Sequence, residues 1–327
     1  MFAHMNNCGV EDICFEKEHV QKVLAAIKKS FESYFTNYLE SAAGKSVTDT
    51  SFTELQKRFK VSISATNKRS NLSDNFKTII TEAYDDFEKD QDAYITIFDE
   101  ELLEDYDEDT DSFKSKVLRN ECPIIRKTLA NRQAKELDKY RASFSLSDPD
   151  HLLNVVYNLC VFGNEYKGNY DPDTYENIQT YQELGMAPLD TDEYTAYGVI
   201  GGGIKTHMLY KVHPDLFPNR SRSAIWALWY LTEKQTFGCK TDSEFLMIDV
   251  KKSTTQQNYF YPYELFAFYA FRIYKLLRDK ATEYGAYIDP SYRYVVVDSF
   301  LDYIASEHDS EISLLKSQIS DGGMGYA

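Results

Sequence analysis

The chain has 327 residues, 43% hydrophobic and 27% charged, enough for one large domain or two with a sizeable core. Its formal net charge of −16, from 52 acids against 36 bases, excludes a broad electrostatic coat on nucleic acid, which needs cations to neutralise phosphates. No run of about 18 apolar residues occurs, so no membrane-spanning helix and no membrane partner is expected, and five scattered cysteines fit free thiols in a reducing, cytoplasmic setting.

In chain order, the N-terminus lacks the charged and apolar regions of a signal peptide. Val20, Leu24, Ile27, Phe31, Tyr34, Phe35 and Tyr38 recur at helical spacing and predict a helix over 15–42. Ser51 and Glu54 form a capping box for a second helix. Residues 60–66 alternate like a short strand, and a third helix opens at Ser73 or Asp74. Between 82 and 111 fifteen acids stand against one lysine, a density no core desolvates. Segment 87–111 is therefore expected to be a solvated surface or a protein-partner site. The following helices, 114–142, are basic, as a solvated face or a nucleic-acid contact. The stretch 145–150, SLSDPD, reads as a linker between a helical domain, 1–145, and an α-rich α/β domain, 146–327.

Beyond 190 the pattern shifts. GVIGGGIKTHMLYKV opens a helix, HPDLFPNRSRS breaks it, and AIWALWYLTEK is a short apolar helix. EFLMIDV reads as a strand, 262–284 as a long helix with Gly285 past its end, YRYVVVD as a second strand, and a last helix follows. The fold class is α+β, predominantly α-helical, with a helical N-terminal half and a small mixed or parallel sheet in the C-terminal third.

Several groups could carry chemistry. Gly198 to Thr206 approaches a phosphate-binding loop, but Ile204 separates Gly203 from Lys205 where that loop needs glycine directly before lysine. A hinge or a close backbone contact also explains the glycines. His4, Cys8, Cys14 and His19 are zinc-type ligands, yet the C-x5-C spacing departs from the usual C-x2–4-C. At PNRSRSAIW, Ser221 and Ser223 are both candidate N-caps, and Arg220 and Arg222 stand at the positive end of a helix dipole. That arrangement asks for an anion, either a bound phosphate or an acid of the chain itself. His207 and His213 have no nucleophile at a telling spacing.

Asp249, Val250 and Lys251 close the apolar run at 245–250, and Asp298 closes the strand at 292–298. A strand, helix, strand order predicts parallel pairing and places both aspartates at one carboxyl edge. Here the sequence resembles the PD-(D/E)xK nuclease superfamily: Asp249-Val250-Lys251 matches its (D/E)-x-K, and Gln257 with Tyr261 matches the Q-x-x-x-Y of one branch. The resemblance covers about 20–60 residues. It implies Asp249 as a metal ligand, Lys251 polarising the attacking water and Gln257 assisting, on DNA or RNA with Mg²⁺, and bacterial genome defence as the setting. Asp298 and Glu244 are the further candidate ligands. The competing class is a non-enzymatic helical interaction protein that uses the acidic segment.

Overall fold

Why the long apolar-striped segments become helices is plainest at the N-terminal end. The predicted stripe of α1 (Lys17–Lys45) is buried at Val20, Ile27, Phe31, Phe35 and Tyr38 and half-buried at Leu24 and Tyr34, Val23 is buried with it, and Lys17, Glu18, Lys22, Lys28, Lys29, Glu32 and Glu40 face outward. The structure is a computed structural model that describes residues 2–3, 9–45, 65–134, 137–240 and 242–317. Ahead of α1 lie strand β1 (Phe2–Ala3) and a 3₁₀ turn, Asp12–Phe15. The capping box at Ser51 and Glu54 and most of the expected strand at 60–66 lie outside the described residues.

Helix α2 (Ala65–Glu88) starts earlier than Ser73. Then come α3 (Gln91–Ile97), α4 (Glu100–Asp105) and α5 (Thr110–Ser112), which continues as a π-helix over Phe113–Glu121. Pro123 at the first position opens α6 (Pro123–Ala130), followed by α7 (Asp138–Leu146) and α8 (Pro149–Gly168), whose N-cap Asp148 accepts from the Asp150 amide. Helix α9 (Pro172–Glu176) and three 3₁₀ turns lead to α10 (Gly202–Val212) and α11 (Arg222–Leu231). Strands β2 (Leu246–Asp249) and β3 (Thr254–Gln257) precede α12 (Tyr263–Tyr284), α13 (Arg293–Glu307) and α14 (Asp309–Ser317).

One hydrophobic core includes residues on both sides of position 145, and α1 packs on α11, α12 and α13. Helix α12 is its axis: the expected stripe Tyr263, Phe266, Ala270, Ile273, Tyr274 and Leu277 is buried, and so are Leu265, Ala267, Phe268, Tyr269 and Phe271 between them. The mostly helical α+β class with a small sheet before α12 holds. Among the described residues no helix is long and apolar enough to cross a membrane.

Two expectations about the sheet are corrected. It is antiparallel, in the order β1-β2-β3, with Leu246 opposite Gln257 and Asp249 opposite Thr254. The expected second strand, 292–298, is instead the start of α13, where Tyr294 to Val297 are all buried. A continuous apolar run is buried on every side whether it is strand or helix, so periodicity does not separate the two. Packing of α13 against α11 and α12 buries all of Arg293 to Val297, and this outweighs the few tenths of a kcal/mol per residue by which valine disfavours a helix.

Candidate functional site

The stretch that resembles a nuclease core strand folds as a hairpin. Val250 to Ser253 form its turn, with Ser253 at φ 53°. Asp249 is the acceptor that organises this turn: its Oδ1 takes the amides of Lys251 at 3.1 Å and Lys252 at 3.2 Å. Burial opposes its ionisation, but the Lys252 and Lys251 amides help hold its carboxyl below the ordinary range. The Lys251 side chain is exposed. Glu244 is buried against His19, Oε2 to Nε2 3.1 Å. Asp298 lies on α13, where both oxygens accept from the Asn219 amide at 3.1 and 3.2 Å; burial and the neighbouring Asp302 raise its pKa. Among the described residues one group of three His, Cys, Asp or Glu ligand atoms falls within 4.8 Å, and Asp249, Asp298 and Glu244 are not in it. As placed, these three carboxylates do not fit one Mg²⁺, which needs several oxygens at about 2.1 Å.

Other candidates do converge. A pocket of about 880 Å³ is lined by the glycine run at the start of α10, by Asn219 to Arg222 at the start of α11, by Gln257 to Phe260 after β3, and by Lys205, His207, Asp190 and Glu264. Gln257 is the last residue of β3, and it reaches the pocket from there.

Gly202 is explained by one contact. A Cβ on Gly202 would overlap Arg220 Nη2 and lie 2.5 Å from Cζ, so the guanidinium rests directly on the backbone of α10. Gly201, the N-cap there, brings no side chain to the first amides. The neighbouring helix start is capped, with Ser221 Oγ accepting from the Ala224 amide at 3.0 Å.

Arg220 is 5% exposed. Its amide donates to Thr206 Oγ1 at 3.2 Å and Nη2 donates to the Tyr259 carbonyl at 3.1 Å. Among the described residues no carboxylate comes within 4.0 Å of it, so the alternative of an acid of the chain as its partner is not realised. Burial pushes its pKa down, against the pull of Asp190. Arg222 is exposed and sits over the Tyr259 ring at 6.0 Å. Lys205, 2% exposed, donates to the Leu189 carbonyl and to Thr195 Oγ1; burial pushes it down to about 8 against the pull of Asp190. Burial, with Lys211 nearby, brings His207 to about 4, so its imidazole is neutral near pH 7.

Gln257 supplies the most pointed feature. It is 2% exposed; its Oε1 accepts from Trp226 Nε1 at 3.1 Å, and its Nε2 is buried with no hydrogen-bond partner. A buried orphan donor costs about 1–3 kcal/mol unless something accepts from it. At the mouth, Tyr197, Tyr259 and Phe260 are 68%, 39% and 52% exposed, three of the most exposed large apolar side chains of the described residues, and all line this pocket. The sequence pointed to Arg220, Ser221 and Arg222 through the helix dipole and to Gly198–Thr206, with Lys205, as an imperfect phosphate loop, but not to Asp190, Glu264 or the aromatic mouth. Only the fold brings those together. No family model, curated protein or solved structure matches the chain.

Proposed function

We propose that the pocket binds a phosphorylated aromatic ligand, a nucleotide unit, with its phosphate on Arg220. What carries this reading is the combination, in one pocket, of a buried guanidinium with no carboxylate of the described residues within 4.0 Å and the orphan Gln257 amide. A phosphate supplies acceptors for both, and guanidinium groups match its oxygens in pairs. The amides at the start of α10 and exposed Arg222 add donors and positive potential. Three cations line the pocket against Asp190 and Glu264, in a chain whose acids outnumber its bases by 16. The volume lies within the 300–1,000 Å³ of small-molecule sites, more room than a bare phosphate fills. Tyr197, Tyr259 and Phe260 offer faces on which a base stacks.

Hydrolysis of a bound phosphodiester is the second reading. It draws on the neutral imidazole of His207, a proton acceptor lining the same pocket as Arg220. The nuclease resemblance enters through Gln257, its one residue in the pocket.

Calorimetric titration with a nucleoside monophosphate, and with the same nucleoside lacking phosphate, tests binding. The account expects saturable binding that needs the phosphate and weakens at least tenfold in Arg222→Gln, whose exposed position leaves folding intact. Equal binding of both ligands would contradict it. A cleavage assay on single-stranded DNA and RNA, with and without Mg²⁺, separates the second reading. His207→Ala and Asp249→Asn are its arms, since asparagine keeps the turn acceptor that alanine would remove.

A further inference from the structure

The N-terminal segment is tied to the loop between α11 and β2 and to the residue that follows β3. The Lys240 amide donates to Glu11 Oε1 at 2.7 Å, and Asn258 Nδ2 donates to the Gly9 carbonyl at 2.5 Å. In the same region Cys14, from the 3₁₀ turn, meets Cys239, 225 residues later, with their sulfurs 3.6 Å apart. His19, in the first turn of α1, brings a ring nitrogen to within 4.8 Å of both sulfurs. Phe237 and Gly238, at φ 53° and 95°, form the left-handed bend just ahead of Cys239, and Phe237 meets the His19 ring edge-on.

The distances distinguish among chemistries. A disulfide would hold the sulfurs at about 2.0 Å. Two sulfurs on one tetrahedral Zn²⁺, each at about 2.3 Å, stand about 3.8 Å apart. A thiol-to-thiol hydrogen bond also suits 3.6 Å, but it leaves the histidine unexplained. His19 is 2% exposed; Nε2 is engaged by Glu244, and Nδ1 is buried with no partner. With the proton on Nε2, donated to the carboxylate, Nδ1 holds a free lone pair. A ligating histidine whose other N–H is held by a carboxylate is the usual second-layer arrangement at zinc. Thiolates and imidazole select Zn²⁺ over the hard, oxygen-seeking Mg²⁺.

We propose that Cys14, Cys239 and His19 bind one Zn²⁺, with Glu244 as the positioning residue that orients His19. Binding displaces the two thiol protons to solvent, so each sulfur enters as thiolate and no redox change occurs. Three protein ligands leave one position for water. The ion staples the N-terminal segment to the loop that leads into the strand carrying Asp249, and its assignment does not rest on the nucleotide reading.

The test uses the full chain purified without chelators. Elemental analysis should find about one zinc per chain, reduced to under about a tenth in Cys239→Ser and retained in Cys160→Ser, a buried thiol elsewhere. Glu244→Gln keeps an oxygen for the His19 N–H and should keep the metal; loss there would move Glu244 into the ligand set and overturn the three-ligand assignment. Should Cys239→Ser fail to fold, Co²⁺ added to metal-stripped wild type decides. Intense sulfur-to-cobalt charge-transfer absorption at one equivalent supports the site. Absence of that absorption, or a Cys14–Cys239 disulfide in metal-free protein by mass spectrometry, would overturn it.

Discussion

Gly202 carries more of the site than any charged residue, because it admits the Arg220 guanidinium. Gly202→Ala should displace that side chain, cost about 1–3 kcal/mol of stability as an overpacked contact does, and abolish phosphate binding; Gly201→Ala, where a Cβ meets nothing within 4 Å, should do neither. Denaturant melts and calorimetry on the two variants check this. Lys205 sets a pH dependence. Burial lowers its pKa to about 8, so the cation predominates below that pH and is lost above it. Sulfate, whose charge is constant over the range, should bind several-fold more weakly at pH 9.5 than at pH 6.5, and Lys205→Met should flatten the profile. Asp298 works with the opposite sign on stability. Its raised pKa means the folded chain keeps a proton that the unfolded chain has released, so its stabilising share is fully present below the ordinary carboxyl range and is lost as pH rises through the folded value. Asp298→Asn should therefore raise the melting temperature at pH 7 and lose that advantage toward pH 4.

At the scale of elements, the helices were legible where an apolar stripe alternates with charge. Helix α1 and helix α12 follow their spacing, with Gly285 ending α12 in the left-handed conformation at φ 64°. Phe266, fully buried on α12, should cost about 3–5 kcal/mol when truncated to alanine, measured by chemical denaturation. What was not legible was pairing. Residues 246–257 contain two short strands whose turn has neither the Asn-Gly nor the Asp-Gly signal, and its left-handed position falls on Ser253. The charges of the Asp249 turn read as chemistry because a carboxylate that accepts turn amides and one that binds metal look alike in sequence. The apolar run in α13 read as strand because valines dominate it. At the pocket, the arginines announced themselves through an unfavourable place on a helix dipole. Lys205 was visible only as the end of an imperfect phosphate loop, and Asp190 and Glu264 sat among ordinary loop and helix sequence and joined the site only by proximity.

For the whole molecule, a continuous core and a pocket lined by three cations sit inside an acidic chain. None of the acids between 82 and 111 is buried, and Asp90 with Glu100 are the half-buried ones. Glu101, Asp105, Asp107 and Glu108 are exposed, so neutralising all four should shift stability by no more than about 0.5 kcal/mol per site, a result thermal melts would show. A collapse of the fold would mean that the segment is structural. That acidic field repels free polyanions, so occupancy of the pocket rests on short-range contacts at Arg220, Gln257 and the α10 amides rather than on steering. The most direct test is a crystal structure of the full chain with a saturating nucleoside monophosphate. The account predicts the phosphorus within about 4 Å of Arg220 Cζ, a phosphate oxygen accepting from Gln257 Nε2, and the base against Tyr259 or Phe260. A phosphate bound elsewhere, or a pocket left to water at millimolar ligand, would contradict it.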